Sequence, residues 1–139
     1  NPSLSASAMN SELARSYFLS LPGAKEDFPF NRKIPVFKIK KKMFGFLRVI
    51  DGVGQINLKC KPEEAIILRD IFVSVIPGYH MNKDHWNTVI LDGKVPSEEI
   101  ERMIDTSYSL VIKNLKSSLR KELEIKYGKN KLNTEKNIL

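Results

Sequence analysis

Apolar positions recur first with a helical period. Across Asn10–Ser20, the side chains of Leu13, Tyr17 and Leu21, with Phe18 beside them, fall on one side of a helix. Asn10 or Ser11 can cap it, and Pro22-Gly23 ends it. Residues 25–35 carry no period, and Phe28-Pro29-Phe30 within them reads as a loop folded back on the body. The pattern then changes to alternation. Val36–Lys40, Met43–Ile50 and Gln55–Cys60 are predicted strands, joined by a tight turn at Lys41-Lys42 and a strong hairpin signal at Asp51-Gly52-Val53-Gly54. Pro62-Glu63-Glu64 suits a helix start, with proline in the first turn and early carboxylates on the positive end of the helix dipole; that helix ends near Phe72. Val73–Ile76 is too short to assign. Asn87–Leu91 is a strand before an Asp92-Gly93 turn. Pro96 opens the last long helix, with a core stripe of Ile100, Met103, Ile104, Ser107, Tyr108, Val111 and Leu115 that Leu119 and Leu123 extend toward Gly128.

This order, α-β-β-β-α-β-(β)-α, predicts an α+β two-layer sandwich: an antiparallel sheet with helices on one face. The hairpin signals set Val49 against Ile56 and Leu47 against Leu58, which with Val36 form an aliphatic face expected beneath the helices. Phe37, Ile39, Phe44, Phe46, Arg48, Ile50, Asn57 and Lys59 are expected on the opposite face. One domain is expected over residues 9–127, with residues 1–8 an added or disordered leader and 128–139 a frayed basic tail.

Composition narrows the function classes. No apolar run approaches the roughly 18 residues of a membrane span, and no secretory signal is visible. The single cysteine, Cys60, excludes an internal disulfide framework and fits a reducing compartment. A cytoplasmic monomer without membrane partners is the expectation. The net charge of +7 is concentrated: residues 32–61 hold nine cations and one anion, so this segment is +8 and the rest of the chain −1. A local basic stripe suits a polyanion partner; it equally suits a lysine-protected sheet edge.

The densest chemistry is Pro77-Gly78-Tyr79-His80-Met81-Asn82-Lys83-Asp84-His85-Trp86, where imidazoles, an indole, a phenol and an amide crowd ten residues. Such groups need partners when buried, so the stretch is either a binding site or a polar structural corner.

Several blocks taken together resemble a known family. They are Leu21-Pro22-Gly23 with Glu26, Phe28 and Phe30; Lys42-Met43-Phe44; Asn57-Leu58-Lys59-Cys60 with Pro62-Glu63; Pro77 to Lys83 with His85-Trp86; and Asp105, Ser107-Tyr108 and Leu110-Val111. In order and spacing, from about Asn10 to Arg120, they resemble the MmcQ/YjbR family of small bacterial proteins. The resemblance implies a small α/β fold similar to CyaY and to secretion chaperones, with a strand arrangement called a double wing. DNA binding has been suggested for the family from that shape, and no enzymatic activity is established for it. This chain departs from the usual pattern with Asn31 and Lys41 where members usually carry glycine. Asparagine tolerates left-handed geometry, whereas Lys41 adds charge to a hairpin tip.

The expected function is therefore non-catalytic binding. Lys38, Lys40, Lys41, Lys42 and Arg48 would contact phosphates of DNA, with Lys59 and Lys83 extending the surface. Because lysine supplies charge rather than bidentate base readout, such binding would be weak, sequence-tolerant and salt-sensitive. The alternative is a pocket of Asn57, Cys60, His80, His85 and Trp86 that holds a small anion or an acidic protein partner. Cys60 with His80 and His85 lacks the paired short spacing of structural zinc ligands, and no flanking signature supports a Cys–His nucleophile. No cofactor, metal or catalytic residue is assigned.

Overall fold

The computed structural model describes residues 9–78 and 81–132. Helix α1 (Ser11–Ser20) is followed by strands β1 (Lys25–Asp27), β2 (Val36–Ile39), β3 (Lys42–Ile50) and β4 (Val53–Lys59). Helix α2 (Pro62–Ile71), strands β5 (Val75–Pro77) and β6 (Trp86–Ile90), and helices α3 (Ser97–Lys113), α4 (Ser117–Tyr127) and α5 (Lys129–Leu132) complete the chain. The strands form one open antiparallel sheet in the order β1-β2-β3-β4-β6-β5. The α+β architecture is as the sequence predicts. Strand β1 is additional, and β5 supplies the optional strand from the segment left unassigned; each has three residues and too little length to display a period.

Local chemistry explains the boundaries. The Asn10 side chain caps α1 by accepting the Leu13 N–H at 2.9 Å. The turn between β2 and β3 lies at Lys40-Lys41, one residue earlier than the lysine pattern suggests. Both residues are left-handed, with φ of 49° and 70°. That is the backbone of a type I′ hairpin, and it explains the glycine usual at position 41 in the family that the sequence resembles. Asp51 and Gly52, with φ of 52° and 81°, make the same kind of turn, so β4 begins at Val53 rather than Gln55.

Register corrects the expected faces. Leu47 pairs with Ile56, Gly45 with Leu58 and Val49 with Gly54, two residues from the expected pairing but with the same parity. Leu47, Ile56 and Leu58 therefore do lie beneath the helices. An irregularity at Phe37/Lys38 sets Phe37 opposite Gly45 and Val36 opposite Phe46, exchanging the expected sides of Val36 and Phe37. The Phe18 ring of α1 stacks on Phe37 at 4.2 Å between centroids and tilts against Phe44 at 5.7 Å, while Tyr108 of α3 meets Phe44 edge-on. These aromatics are fully buried core, and truncating one of this size costs about 3–5 kcal/mol. Two long-range bonds fasten α1 and its following turn to α3: Tyr17 donates to Asp105 at 2.7 Å, and Tyr108 donates to the Pro22 carbonyl.

The face away from the helices carries a cross-strand row of Val36, Phe46, Asn57, Thr88 and Ile76. Phe30 covers part of it, meeting Phe46 edge-on at 6.4 Å, which is the folding back expected of that loop. At the other end of the chain, the first residues of the segment read as a tail form α5, and Leu132 is buried. The leader (residues 1–8) and residues 133–139 lie outside the described residues.

Candidate functional site

Two clefts at one end of the sheet contain most of the residues singled out in the sequence. The first has a volume of about 460 Å³ and is lined by Lys59, Cys60, Lys61 and Pro62 from the β4–α2 junction, Asn82, His85 and Trp86 from the segment before and at the start of β6, and Leu110 and Asn114 from the end of α3. Backbone bonds hold these elements together. The Cys60 N–H donates to the His85 carbonyl at 2.8 Å, and Lys59 lies opposite Trp86 in the β4–β6 ladder. Asn82 folds the preceding loop by accepting the Asp84 N–H on its side chain at 2.8 Å and the His85 N–H on its carbonyl at 3.2 Å. Gly78 is needed for close approach: a Cβ there would come within 2.7 Å of the Trp86 Cβ. Its N–H donates to the Trp86 carbonyl at 2.9 Å, fixing the indole at the cleft wall.

No Asp or Glu lines this first cleft among the described residues. Its polar groups are two ammoniums, an imidazole, an indole and two amides, all able to donate hydrogen bonds to an anion. Cys60 behaves differently. Burial pushes its thiol up to about 11, opposed in part by the charge of Arg69. It is a protonated thiol at neutral pH, the reverse of the activated thiolate that nucleophilic catalysis requires.

The second cleft, about 490 Å³, lies between the β1–β2 edge and α4. Lys25, Lys38, Lys40, Lys41 and Lys126 line it, together with Glu26, Asp27 and Tyr127. Lys38 is paired with Asp27 at 2.9 Å and Lys40 with Glu122 at 3.0 Å. The Lys38 ammonium, then the Phe28 N–H, hold the Asp27 carboxyl below its ordinary range.

The structure thus brings Lys59, Cys60, His85 and Trp86 together in one cleft and Lys38, Lys40 and Lys41 together in the other. Lys42, Arg48, Asn57 and Lys83 line neither. Arg48 sits on the open face of β3 opposite Gln55. Asn57 is fully buried and accepts from Thr88 at 2.8 Å, a structural bond within the sheet. The Lys83 carbonyl accepts from Arg69 at 3.2 Å. His80 lies outside the described residues. Lys61, within the basic segment, and Asn82, within the Pro77–Trp86 stretch, join the first cleft without having been assigned to it; Asn114, at the carboxyl end of α3, carried no signal, because it falls inside an apolar stripe that continues to Leu115. Among the described residues, no group of three or more His, Cys, Asp or Glu is placed to hold a metal ion, and no helix is long and apolar enough to cross a membrane.

The fold has counterparts. The YjbR family model matches residues 19–110. The chain is 34% identical to the Escherichia coli K12 protein YjbR over 107 residues, covering 77% of this chain and 91% of that protein. It is 32% identical to Bacillus subtilis YyaQ over 102 residues, covering 63% of this chain and 86% of that protein. Both relatives are described as uncharacterized proteins. In three dimensions the chain resembles the Deinococcus radiodurans protein DR2400, with a TM-score of 0.76, 38% identity and coverage of 82% of this chain and 87% of that one. A Pseudomonas syringae protein matches with a TM-score of 0.65 and 32% identity over 73% of this chain and 98% of its own. The chain belongs to the YjbR family.

Proposed function

We propose that this protein binds a small anionic ligand, without catalysis, in the cleft between the β4–α2 junction and the end of α3. The observation that carries the reading is the composition of the cleft wall: Lys59, Lys61, Asn82, His85, Trp86 and Asn114 line it, and its lining among the described residues includes no Asp or Glu. A concave site with a few convergent polar groups suits a small molecule better than a groove-spanning polymer. Trp86 is the only tryptophan in the chain, so its emission reports on this cleft alone. Pyrophosphate is expected to change that emission saturably, and Lys59→Gln combined with Lys61→Gln is expected to weaken binding about tenfold or more through loss of charge-assisted bonds. A saturable response that the double variant leaves unchanged contradicts the reading.

A second reading, DNA binding, is favoured by the five lysines that share the β1–β2 cleft. Exposed ion pairs such as Lys38–Asp27 and Lys40–Glu122 are worth about 1 kcal/mol or less, so phosphates can replace their carboxylates. Binding of this kind is sequence-tolerant and falls linearly with salt on a log–log scale. It predicts that Lys41→Glu with Lys126→Glu releases a labelled duplex at low salt while pyrophosphate binding persists. Retention of the duplex by that variant contradicts it.

A further inference from the structure

The connection between β1 and β2 leaves apolar side chains uncovered. Every residue from Asp27 to Lys33 is exposed. Phe28 and Phe30 are 45% and 64% exposed, with Pro29 between them. Single exposed apolar residues are ordinary, but a consecutive run calls for a function.

Local bonds fix the shape of this segment. The Asp27 carboxylate accepts the Phe28 N–H at 2.8 Å at one end. At the other, Asn31 accepts the Lys33 N–H on its side chain at 2.7 Å and the Ile34 N–H on its carbonyl at 3.2 Å. The Phe30 ring is seated edge-on against the buried Phe46 at 6.4 Å. Little further ordering is needed for the tip to meet a partner.

Charge identifies that partner. Arg32 and Lys33 are exposed beside the rings. The carboxylates that precede them are engaged elsewhere, Glu26 by Arg15 at 2.6 Å and Asp27 by Lys38 at 2.9 Å. The tip thus presents apolar rings and positive charge together. Phe28, Phe30, Arg32 and Lys33 line neither of the two clefts. An apolar tip without a groove suits a deformable apolar interior, whereas a single-stranded nucleic acid is held by a groove that tracks its backbone.

We propose that the Phe28–Lys33 loop docks on an anionic phospholipid bilayer, its two rings entering the boundary between headgroups and acyl chains and Arg32 and Lys33 meeting the lipid phosphates. Attachment of this kind requires no spanning helix. It replaces the expectation of no membrane partner, which rests on the absence of a span.

The test is co-sedimentation of the unaltered protein with vesicles of phosphatidylcholine alone and with vesicles in which about a third of the lipid is phosphatidylglycerol. The expected result is saturable binding to the anionic vesicles and binding weaker by about tenfold or more to the neutral ones. Phe28→Ser with Phe30→Ser, and separately Arg32→Glu with Lys33→Glu, are each expected to weaken binding to the anionic vesicles by about tenfold or more. Phe28→Trp keeps a ring at the tip, and its emission, read against the Trp86 baseline of the unaltered protein, is expected to move to the blue on adding anionic vesicles; this decides the question even where the serine variant fails to fold. Equal binding to the two kinds of vesicle, binding that survives loss of both rings, or emission that does not move would overturn the proposal. So would binding of a single-stranded oligonucleotide that depends on Phe28 and Phe30 while vesicles are not bound, which would assign the tip to nucleic acid. Because the tip lies outside both clefts, the pyrophosphate and duplex measurements stand apart from this one.

Discussion

The hydroxyl of Ser107 donates to the Phe44 carbonyl, inserting a side chain of α3 into the sheet. The same hydroxyl accepts the Lys59 N–H at 2.9 Å. The β3–β4 ladder ends at Gly45 and Leu58, so Ser107 takes the place of the next cross-strand bond. It also anchors the backbone of Lys59 at the mouth of the anion cleft. Ser107→Ala leaves two backbone groups buried without partners and should destabilise the protein by about 2–3 kcal/mol, measured by urea unfolding. An effect below about 0.5 kcal/mol would show that the ladder closes without the hydroxyl.

Gly45 is a second point where helix and sheet meet without slack. A Cβ there would sit 2.4 Å from Phe18 Cε1, whose ring is already held by Phe37 and Phe44. Gly45→Ala should therefore cost about 1–3 kcal/mol by overpacking. Restoration of stability by the compensating Phe18→Leu change would confirm that the ring is the obstacle.

The hairpin tip should respond in the opposite direction. Lys41 holds φ 70°, a conformation that costs a non-glycine residue about 1–2 kcal/mol, while glycine pays part of that back in unfolded-state entropy. Lys41→Gly is expected to raise stability by about 0.5–1 kcal/mol in thermal or denaturant unfolding. Because Lys41 lies outside the first cleft, the substitution should leave pyrophosphate binding unchanged.

Cys60 gives a pH prediction. Burial raises its thiol from 9.0 to about 11, so the native state keeps a proton that the unfolded state releases in between. The stability this contributes is complete below pH 9.0 and is lost as pH rises toward about 11. Iodoacetamide should modify Cys60 slowly at pH 8 relative to a free thiol, with the rate climbing through that window; rapid modification at pH 8 in the folded state would contradict the burial argument.

Much of this architecture was legible in the chain. The stripe from Ile100 to Leu115, the Pro62-Glu63-Glu64 helix start and the Asp51-Gly52 turn each rest on local chemistry that the fold keeps. Val36 and Phe37 were exchanged because one irregularity in pairing inverts the parity of a strand, and parity is all that alternation encodes. The concentration of lysines between residues 32 and 61 was visible, but their partners were not: Glu122 meets Lys40 across 82 positions of sequence. For the same reason Asn114 could not be placed beside Trp86, whereas the proximity of Cys60, His85 and Trp86 follows from the β4–β6 pairing that their flanking strands make possible.

The most direct measurement is a map of backbone and side-chain NMR shifts during pyrophosphate titration of the unaltered protein. The account predicts saturable changes centred on the Trp86 indole, the Asn82 and Asn114 amides and the Lys59–Lys61 backbone. Changes confined to Lys25, Lys38, Lys41 and Lys126, or spread over every exposed lysine without saturation, would contradict it.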